Sequence, residues 1–169
     1  MPASDVDDVT AVRAANAVLY AAIEDGDLDQ MGALWVDGPW AAGAVCVHPG
    51  WTTLRGRTEV LRSWALVMAG TSYIQFVLTD VHVMLEGDVA VLTCTENILA
   101  GVDEPGAARR GTGLAGAHVV ATNVFRRDPA RSWRLWAHHG SVVVGGSPPF
   151  ADVQDQDEDP PGTPRGGPP

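Results

Sequence analysis

The stretch AVCVHPGW, residues 44–51, decides how the fold of this chain is read. Its apolar residues lead into His48, and Pro49-Gly50 then interrupts the run, which is typical of a short buried strand that ends at an imidazole. The unperturbed pKa of histidine lies near neutrality. A half-buried His48 whose side chain is fixed in place is therefore a candidate general base or acid. A structural histidine at a strand end fits the same pattern, and the residues leave both interpretations open.

The composition limits the class of protein. A chain of 169 residues, 46% of them hydrophobic, suits one domain with a substantial core. The net charge is −10 and every basic residue is arginine, which argues against nucleic acid or an anionic membrane as a partner. Without a signal-peptide pattern or an apolar run of ~20 residues, we expect a cytoplasmic protein. Cys46 and Cys94 lie in apolar runs, which favours buried free thiols, with a disulfide as the alternative.

Helical periodicity precedes and follows the central stretch. Apolar residues three and four apart predict a first helix from residue 4 or 5 to about residue 25, a second over residues 28–35 and a third over residues 57–69. Asn16 interrupts the apolar stripe of the first helix. It lies either at the edge of the stripe in contact with water or against a cavity.

From Ser72 onward the hydrophobic period changes to two. This pattern predicts strands over residues 73–85, 89–99, 118–127 and 132–144, joined as an antiparallel meander, with a flexible Gly-rich loop over residues 101–116. We therefore predict one α+β domain over residues 1–145, in which three helices pack on a curved, mainly antiparallel sheet and enclose a conical cavity. Residues 146–169 are predicted to be a disordered acidic tail rich in Pro and Gly.

Alternation along the strands predicts which polar side chains share a face. Asn97 shares a face with Thr95, Asn123 shares one with Ala121, and His139 lies on the face of the last strand that we expect to point inward. A buried Asn amide could donate to a ligand oxygen. Asn97 and Asn123 could equally bond each other or a water molecule, and both interpretations stand.

The sequence contains no convincing motif for binding a cofactor or a metal ion. The stretch GTGLAG, residues 111–116, matches the dinucleotide fingerprint by its letters, but it precedes a strand and does not open a helix. The His and Cys residues lack the spacing of a metal site. We predict neither a cofactor nor a metal.

Seven segments together resemble a SnoaL-like protein of the nuclear transport factor 2-like (NTF2-like) superfamily. They are GDLD (26–29), VHPGW (47–51), GR and SW (56–57 and 63–64), GDVA (87–90), TCTEN (93–97), ATNVFR (121–126) and WRL followed by His138-His139 (133–139). The resemblance implies a cone-shaped α+β barrel with a deep pocket, and a homodimer formed through the outer face of the sheet. The superfamily includes isomerases, polyketide cyclases, hydrolases, dehydratases and non-catalytic binders, so no single activity is implied.

The resemblance also suggests roles for individual residues. Compared with the ketosteroid isomerase branch, His48 falls at the general-base Asp, Asn123 at a protonated Asp of the oxyanion hole and Leu19 at a Tyr donor. These departures argue against steroid isomerisation. We predict His48, Asn123 and His139 as catalytic residues. The predicted substrate-binding residues are Asn16, Leu19, Trp51, Trp64, Thr95, Asn97 and Ala121.

Two functions follow from these observations. In the first, a small apolar ligand or substrate occupies the cone, His48 takes or delivers a proton, Asn97 or Asn123 stabilises an oxyanion, and His139 orients the substrate or a water. In the second, the chain is a non-catalytic ligand-binding or dimerisation module. The expected partners are that small molecule and a second copy of the chain.

Overall fold

The computed structural model describes residues 3–102 and 113–144. Within these two ranges, no helix has the length and apolar character that crossing a membrane would require. The elements are α1 (Ala3–Asp25), α2 (Leu28–Leu34), a 3-10 helix (Gly38–Gly43), β1 (Val45–Val47), β2 (Leu54–Arg55), α3 (Arg57–Gly70), β3 (Ile74–Glu86), β4 (Val89–Val102), β5 (Gly113–Arg127) and β6 (Trp133–Val142).

The strands form one curved sheet in the order β2-β1-β6-β5-β4-β3. Strands β3 to β6 are the predicted antiparallel meander. Strand β1 pairs in parallel with β6, which sets Cys46 opposite His138, and β2 pairs antiparallel with β1 at one edge. The predicted α+β arrangement is confirmed. The parallel pairing was not predicted, because strands so far apart in the chain leave no local pattern of their contact.

The hydrophobic core lies between the helices and one face of the sheet. Helix α1 buries Val12 and Ile23, and the strands bury Leu92, Phe125 and Leu135 against them. Each apolar side chain that is fully buried contributes about 1.5–3 kcal/mol. This burial holds the helices against one face of the sheet. The opposite face is more exposed to solvent.

Local contacts fix both ends of α1 against the sheet. Near its start, Asp8 forms an ion pair with the buried Arg127 of β5. Near its end, the Glu24 carboxylate accepts a hydrogen bond of 2.6 Å from the backbone N–H of Phe76 in β3. Gly26, at φ +66°, then ends the helix in the left-handed conformation that glycine adopts most easily. The inward face of α1 is thus held over the centre of the sheet.

A β-bulge in β6 reverses the direction of its later side chains. The register with β5 shifts at Trp136, which has no directly paired residue. Leu135 points into the core before the bulge, and His138 points inward after it, while His139 is exposed. The prediction that His139 faces the cavity is therefore wrong. Strict alternation from Leu135 fails because the bulge adds one residue to this strand.

The predicted loop over residues 101–116 is wrong at both ends. Strand β4 continues to Val102 and β5 begins at Gly113, and these two residues are paired. Glycines in this stretch suggested a loop, but Gly101, Gly113 and Gly116 are paired in the ladder between β4 and β5. The remainder of that loop, residues 103–112, and the predicted tail lie outside the described residues.

Candidate functional site

A cavity of about 210 Å³ opens between the helices and the inner face of the sheet. Its only polar lining residues within the described ranges are His48, Glu96 and His138. The other lining residues are apolar or aromatic: Ile23, Pro49, Trp51, Trp64, Val67, Ile74, Phe76 and Ile98. A concave, mostly apolar pocket with a few convergent polar groups is the usual form of a small-molecule site.

His48 directly follows β1 and is held by aromatic rings. Its imidazole is 4% exposed. The ring packs edge-on against Trp64 and Trp51, with ring centroids 4.5 Å and 5.0 Å away. Burial lowers the pKa of His48 to about 4, because the apolar surroundings disfavour the charged imidazolium. His48 is therefore neutral at physiological pH.

Ser63 on α3 decides which nitrogen of His48 carries the hydrogen. The Ser63 hydroxyl donates to the backbone carbonyl of Val60 over 2.7 Å. The same hydroxyl oxygen, Ser63 Oγ, lies 2.8 Å from His48 Nε2. A hydroxyl has one hydrogen, so Ser63 Oγ accepts from the Nε2–H of His48. Nδ1 then keeps its lone pair, and the Cys46 sulfur lies 3.9 Å from Nδ1 and 3.7 Å from Nε2.

His138 is the second imidazole of the cavity. It is 3% exposed, and its ring centroid lies 6.4 Å from that of His48. Its Nδ1 lies 2.7 Å from Asn123 Oδ1, so Nδ1–H donates to the amide and Nε2 keeps a lone pair. Burial, and then the neighbouring His48 and His139, lower the pKa of His138 to about 3.

A chain of buried hydrogen bonds continues from His138 to Glu96. Asn123 donates through Nδ2 to Asn16 Oδ1 at 2.7 Å and to the Tyr20 hydroxyl at 3.3 Å. The Tyr20 hydroxyl in turn donates to Glu96 Oε1 over 2.8 Å. Burial raises the pKa of the Glu96 carboxyl above its usual range and raises the pKa of Tyr20 as well. We call these five side chains the buried polar chain.

The structure brings some of the predicted site residues together. His48, Trp51 and Trp64 line the cavity. Asn16 and Asn123 belong to the buried polar chain behind it. Their roles in a reaction stay predictions, since geometry alone does not test them.

Leu19 and Ala121 are buried in the core and do not line the cavity. Leu19 was expected to line the substrate site at the position where the ketosteroid isomerase branch has a Tyr donor, which implied that the donor is missing, but the next residue, Tyr20, supplies a hydroxyl at this level of α1. The expectation for Leu19 is wrong because the helix turns its neighbour, not Leu19 itself, toward Asn123.

Thr95 and Asn97 lie on the outer face of the sheet, so their expected orientation is wrong. Asn97 donates to the Val77 carbonyl and the Thr79 hydroxyl on that face. Alternation separates two sets of residues but does not say which set faces inward. We chose the set with more polar residues, whereas burial favours the set that contains Leu92, Cys94, Glu96 and Ile98.

Sequence reasoning missed four polar residues of the site: Tyr20, Ser63, Glu96 and His138. Glu96 left a usable signal, because it is a single acid in an otherwise apolar alternating set. Ser63 and His138 left none, since their roles depend on a helix contact and on the β-bulge. The described part of the chain holds no group of three His, Cys, Asp or Glu side chains arranged to hold a metal ion.

A curved sheet covered on one face by helices, with one pocket between them, is the architecture of NTF2-like proteins. Comparison agrees with this class: the sequence model of the SnoaL-like domain matches residues 12–145. The chain therefore belongs to the SnoaL-like family of the NTF2-like superfamily. None of the curated proteins matches the chain.

Solved structures give the same family and the same fold. A candidate dehydratase of the NTF2-like family from Streptomyces avermitilis is 52% identical, with a TM-score of 0.75 over 82% of this chain and 99% of that one. A candidate association domain of calcium/calmodulin-dependent protein kinase type II from Thiobacillus denitrificans is 27% identical, with a TM-score of 0.62 over 78% and 94%. An NTF2-like superfamily protein from Salmonella enterica serovar Typhimurium, 16% identical with a TM-score of 0.67 over 90% and 98%, shares the fold alone.

Proposed function

We propose that the chain binds a small apolar molecule in its cavity and catalyses a proton transfer on it, with His48 as the general base. The observation that carries this proposal is the state of His48. Burial keeps its imidazole neutral, Ser63 sets its tautomer, and it lines a mostly apolar cavity together with His138 and Glu96. A positioned imidazole with a free lone pair is the group that proton abstraction requires.

The low pKa of His48 leaves the imidazole unprotonated at neutral pH and favours the return of a proton, although it also weakens the imidazole as a base. At neutral pH the imidazole is almost wholly in the form that accepts a proton. Once protonated, it is a stronger acid than an ordinary imidazolium and gives the proton up readily. One histidine can therefore serve both halves of an isomerisation, a cyclisation or an elimination.

Elimination of water has additional support among these reactions. The 52% identical protein from Streptomyces avermitilis is named as a candidate dehydratase. In such a step His48 takes a proton from carbon, the C–H electron pair becomes the new C=C bond, and the C–O bond at the adjacent carbon breaks. The imidazolium then protonates the leaving oxygen, which releases water and restores neutral His48.

Asn123 supports this proposal as a positioning residue. Both polar atoms of its amide are engaged by buried partners, so its N–H groups are not free for a substrate oxyanion. The amide instead orients His138 beside His48. His138 would then hold a substrate hydroxyl, the role that we first gave to His139.

The test compares the unchanged protein, His48→Gln and His139→Gln on a panel of small cyclic hydroxy compounds, with mass spectrometry to detect loss of water. Removing a positioned base costs about 10²–10⁴-fold in rate, and we expect this loss in His48→Gln. His139→Gln is the matched control, because His139 is exposed on the outer face. Turnover by His48→Gln at the rate of the unchanged protein would contradict the proposal.

A second candidate function is association of copies of this chain without catalysis. Two observations favour it: a 27% identical protein is named as a candidate association domain, and the outer face of the sheet exposes Val77, Met84, Val120 and Leu114. We propose a homodimer through this face. Light scattering after size-exclusion chromatography tests it: Val120→Arg should give monomers, whereas Leu66→Arg, on exposed helix surface, should not.

Two further expectations belong to the proposal. We propose that the protein acts in the cytoplasm, and that residues 146–169 form a tail separate from the domain. Fluorescence of a tagged copy in cells tests the first, and limited proteolysis with mass spectrometry tests the second.

A further inference from the structure

We propose that the cavity selects an uncharged ring compound that presents hydroxyl hydrogens, over the corresponding ketone, carboxylate or amine. This inference rests on the proposed function only in taking the cavity as the ligand site. It concerns which hydrogen-bonding groups the cavity leaves free, and it holds whether or not His48 catalyses a reaction.

The first free group is Nδ1 of His48. Because Ser63 donates its hydrogen to the Val60 carbonyl, it accepts from Nε2–H of His48. The Cys46 sulfur, a weak hydrogen-bonding atom, lies 3.9 Å from Nδ1 and 3.7 Å from Nε2, so it is not aligned with the Nδ1 lone pair. His48 therefore offers a ligand an acceptor and no donor.

The second free group is Nε2 of His138. The buried polar chain has one direction: His138 donates to Asn123, Asn123 donates to Tyr20, and Tyr20 donates to Glu96. Since Nδ1 of His138 holds the hydrogen, Nε2 carries a lone pair, and no partner for it lies within the described residues. His138 also offers an acceptor.

Glu96 offers a third acceptor when its carboxyl is ionised, and burial raises the pKa of that carboxyl. Tyr20 occupies its Oε1, while Oε2 has no hydrogen-bond partner within the described residues. The two imidazoles of the lining thus present acceptors, and Glu96 adds a third in its ionised form. Of the two lining indoles, the Trp64 N–H is buried with almost no accessible surface, and Trp51 is half-exposed.

Acceptors in an apolar cavity select against ligands that bring further acceptors. A ketone oxygen or a carboxylate would lose its hydration and face lone pairs, and a hydroxyl would replace its water contacts with hydrogen bonds. An ammonium also donates, but moving its charge from water into an apolar cavity has a large free-energy cost, and burial, which raises the pKa of Glu96, reduces the negative charge available to offset that cost. An uncharged hydroxyl group meets neither penalty.

The size of the cavity limits the ligand to about one substituted ring. An apolar cavity of about 150 Å³ holds benzene, and this one measures about 210 Å³. The matched probes are 1-phenylethanol and acetophenone, which share a skeleton and differ by two hydrogens. Benzoate and benzylamine add a negative and a positive charge to the same ring.

The test measures the Kd of these four probes for the full chain by isothermal titration calorimetry at about pH 7.5. We expect 1-phenylethanol to bind about tenfold tighter than acetophenone, which corresponds to one net hydrogen bond. Acetophenone, benzoate or benzylamine binding as tightly as the alcohol would overturn the inference, and so would an alcohol that does not bind at millimolar concentration.

A second measurement tests the assignment directly. Long-range ¹H–¹⁵N NMR reports which imidazole nitrogen carries hydrogen, and we expect Nε2–H in His48 and Nδ1–H in His138. The opposite tautomers would overturn the inference even if the alcohol bound. The outcome is separate from that of the proposed function: normal turnover by His48→Gln would end the catalytic role and leave the preference for the alcohol intact.

Discussion

Replacing Asn123 with leucine measures how much the buried polar chain contributes to stability. Leucine has the same number of side-chain heavy atoms, so the change removes hydrogen bonds without opening a large cavity. It leaves His138 Nδ1 and Asn16 Oδ1, each 2.7 Å from the amide, buried without that partner. Each unsatisfied buried polar group costs about 1–3 kcal/mol, so the free energy of unfolding should fall by about 2–6 kcal/mol.

The matched control is Asn97→Leu, the same substitution on the opposite face of the same sheet. Asn97 donates to Val77 and Thr79 where water can replace it, so we expect a loss below about 1 kcal/mol. Urea unfolding followed by circular dichroism measures both, and the larger loss should also lower Tm by about 2–4 °C per kcal/mol. A loss for Asn123→Leu within about 0.5 kcal/mol of the control would refute the reasoning, because burial would then add nothing to the cost.

Three further outcomes follow from the same contacts. The free energy of unfolding should fall as the pH falls below about 6.5, because burial lowers the pKa of His48 to about 4 and of His138 to about 3, and the unfolded chain then binds more protons. The loss reaches up to about 1.4 kcal/mol per pH unit for each histidine, and urea unfolding across this range measures it. Gly140→Ala should shift the NMR resonances of His48, because a Cβ at Gly140 would lie 3.2 Å from the ring of Pro49, and Pro49 directly follows His48 in the chain. The Cys46 thiol should resist alkylation in the folded protein, since burial raises its pKa to about 12, and mass spectrometry should find it modified only after unfolding.

Each of these outcomes has its own control. His48→Gln should reduce the loss of stability at acid pH, and a curve that stays as steep would contradict the assigned cause. Gly70→Ala is the control for Gly140→Ala, because a Cβ at Gly70 meets nothing within 4 Å. Equal shifts from both glycine variants, or rapid alkylation of Cys46 in the native protein, would contradict the corresponding prediction.

Most of the fold could be predicted from local pattern, because helices and hairpins depend on residues close in sequence. Alternation over residues 73–99 and 118–144 was enough to predict the meander. The short edge strand β2 and the parallel contact between β1 and β6 were not predictable, since they depend on residues that meet only in three dimensions.

The site was less predictable than the fold, and the reasons are specific. His48 and its two tryptophans could be found because a strand end and a helix stripe place them. His138 could not, because a single extra residue at Trp136 exchanges it with His139. Glu96 could not be placed because alternation along β4 does not distinguish its face from the opposite face, which carries Thr95 and Asn97.

The parallel contact between β1 and β6 has a consequence for synthesis on the ribosome. His48 is made 90 residues before His138, so a nascent chain cannot hold a complete pocket until β6 has left the exit tunnel. A molecule that needs both imidazoles can therefore stabilise the finished domain but cannot guide the early steps of its formation. Truncation before β6 would remove His138 from the pocket. It would also remove the strand that pairs with β1, the strand directly before His48.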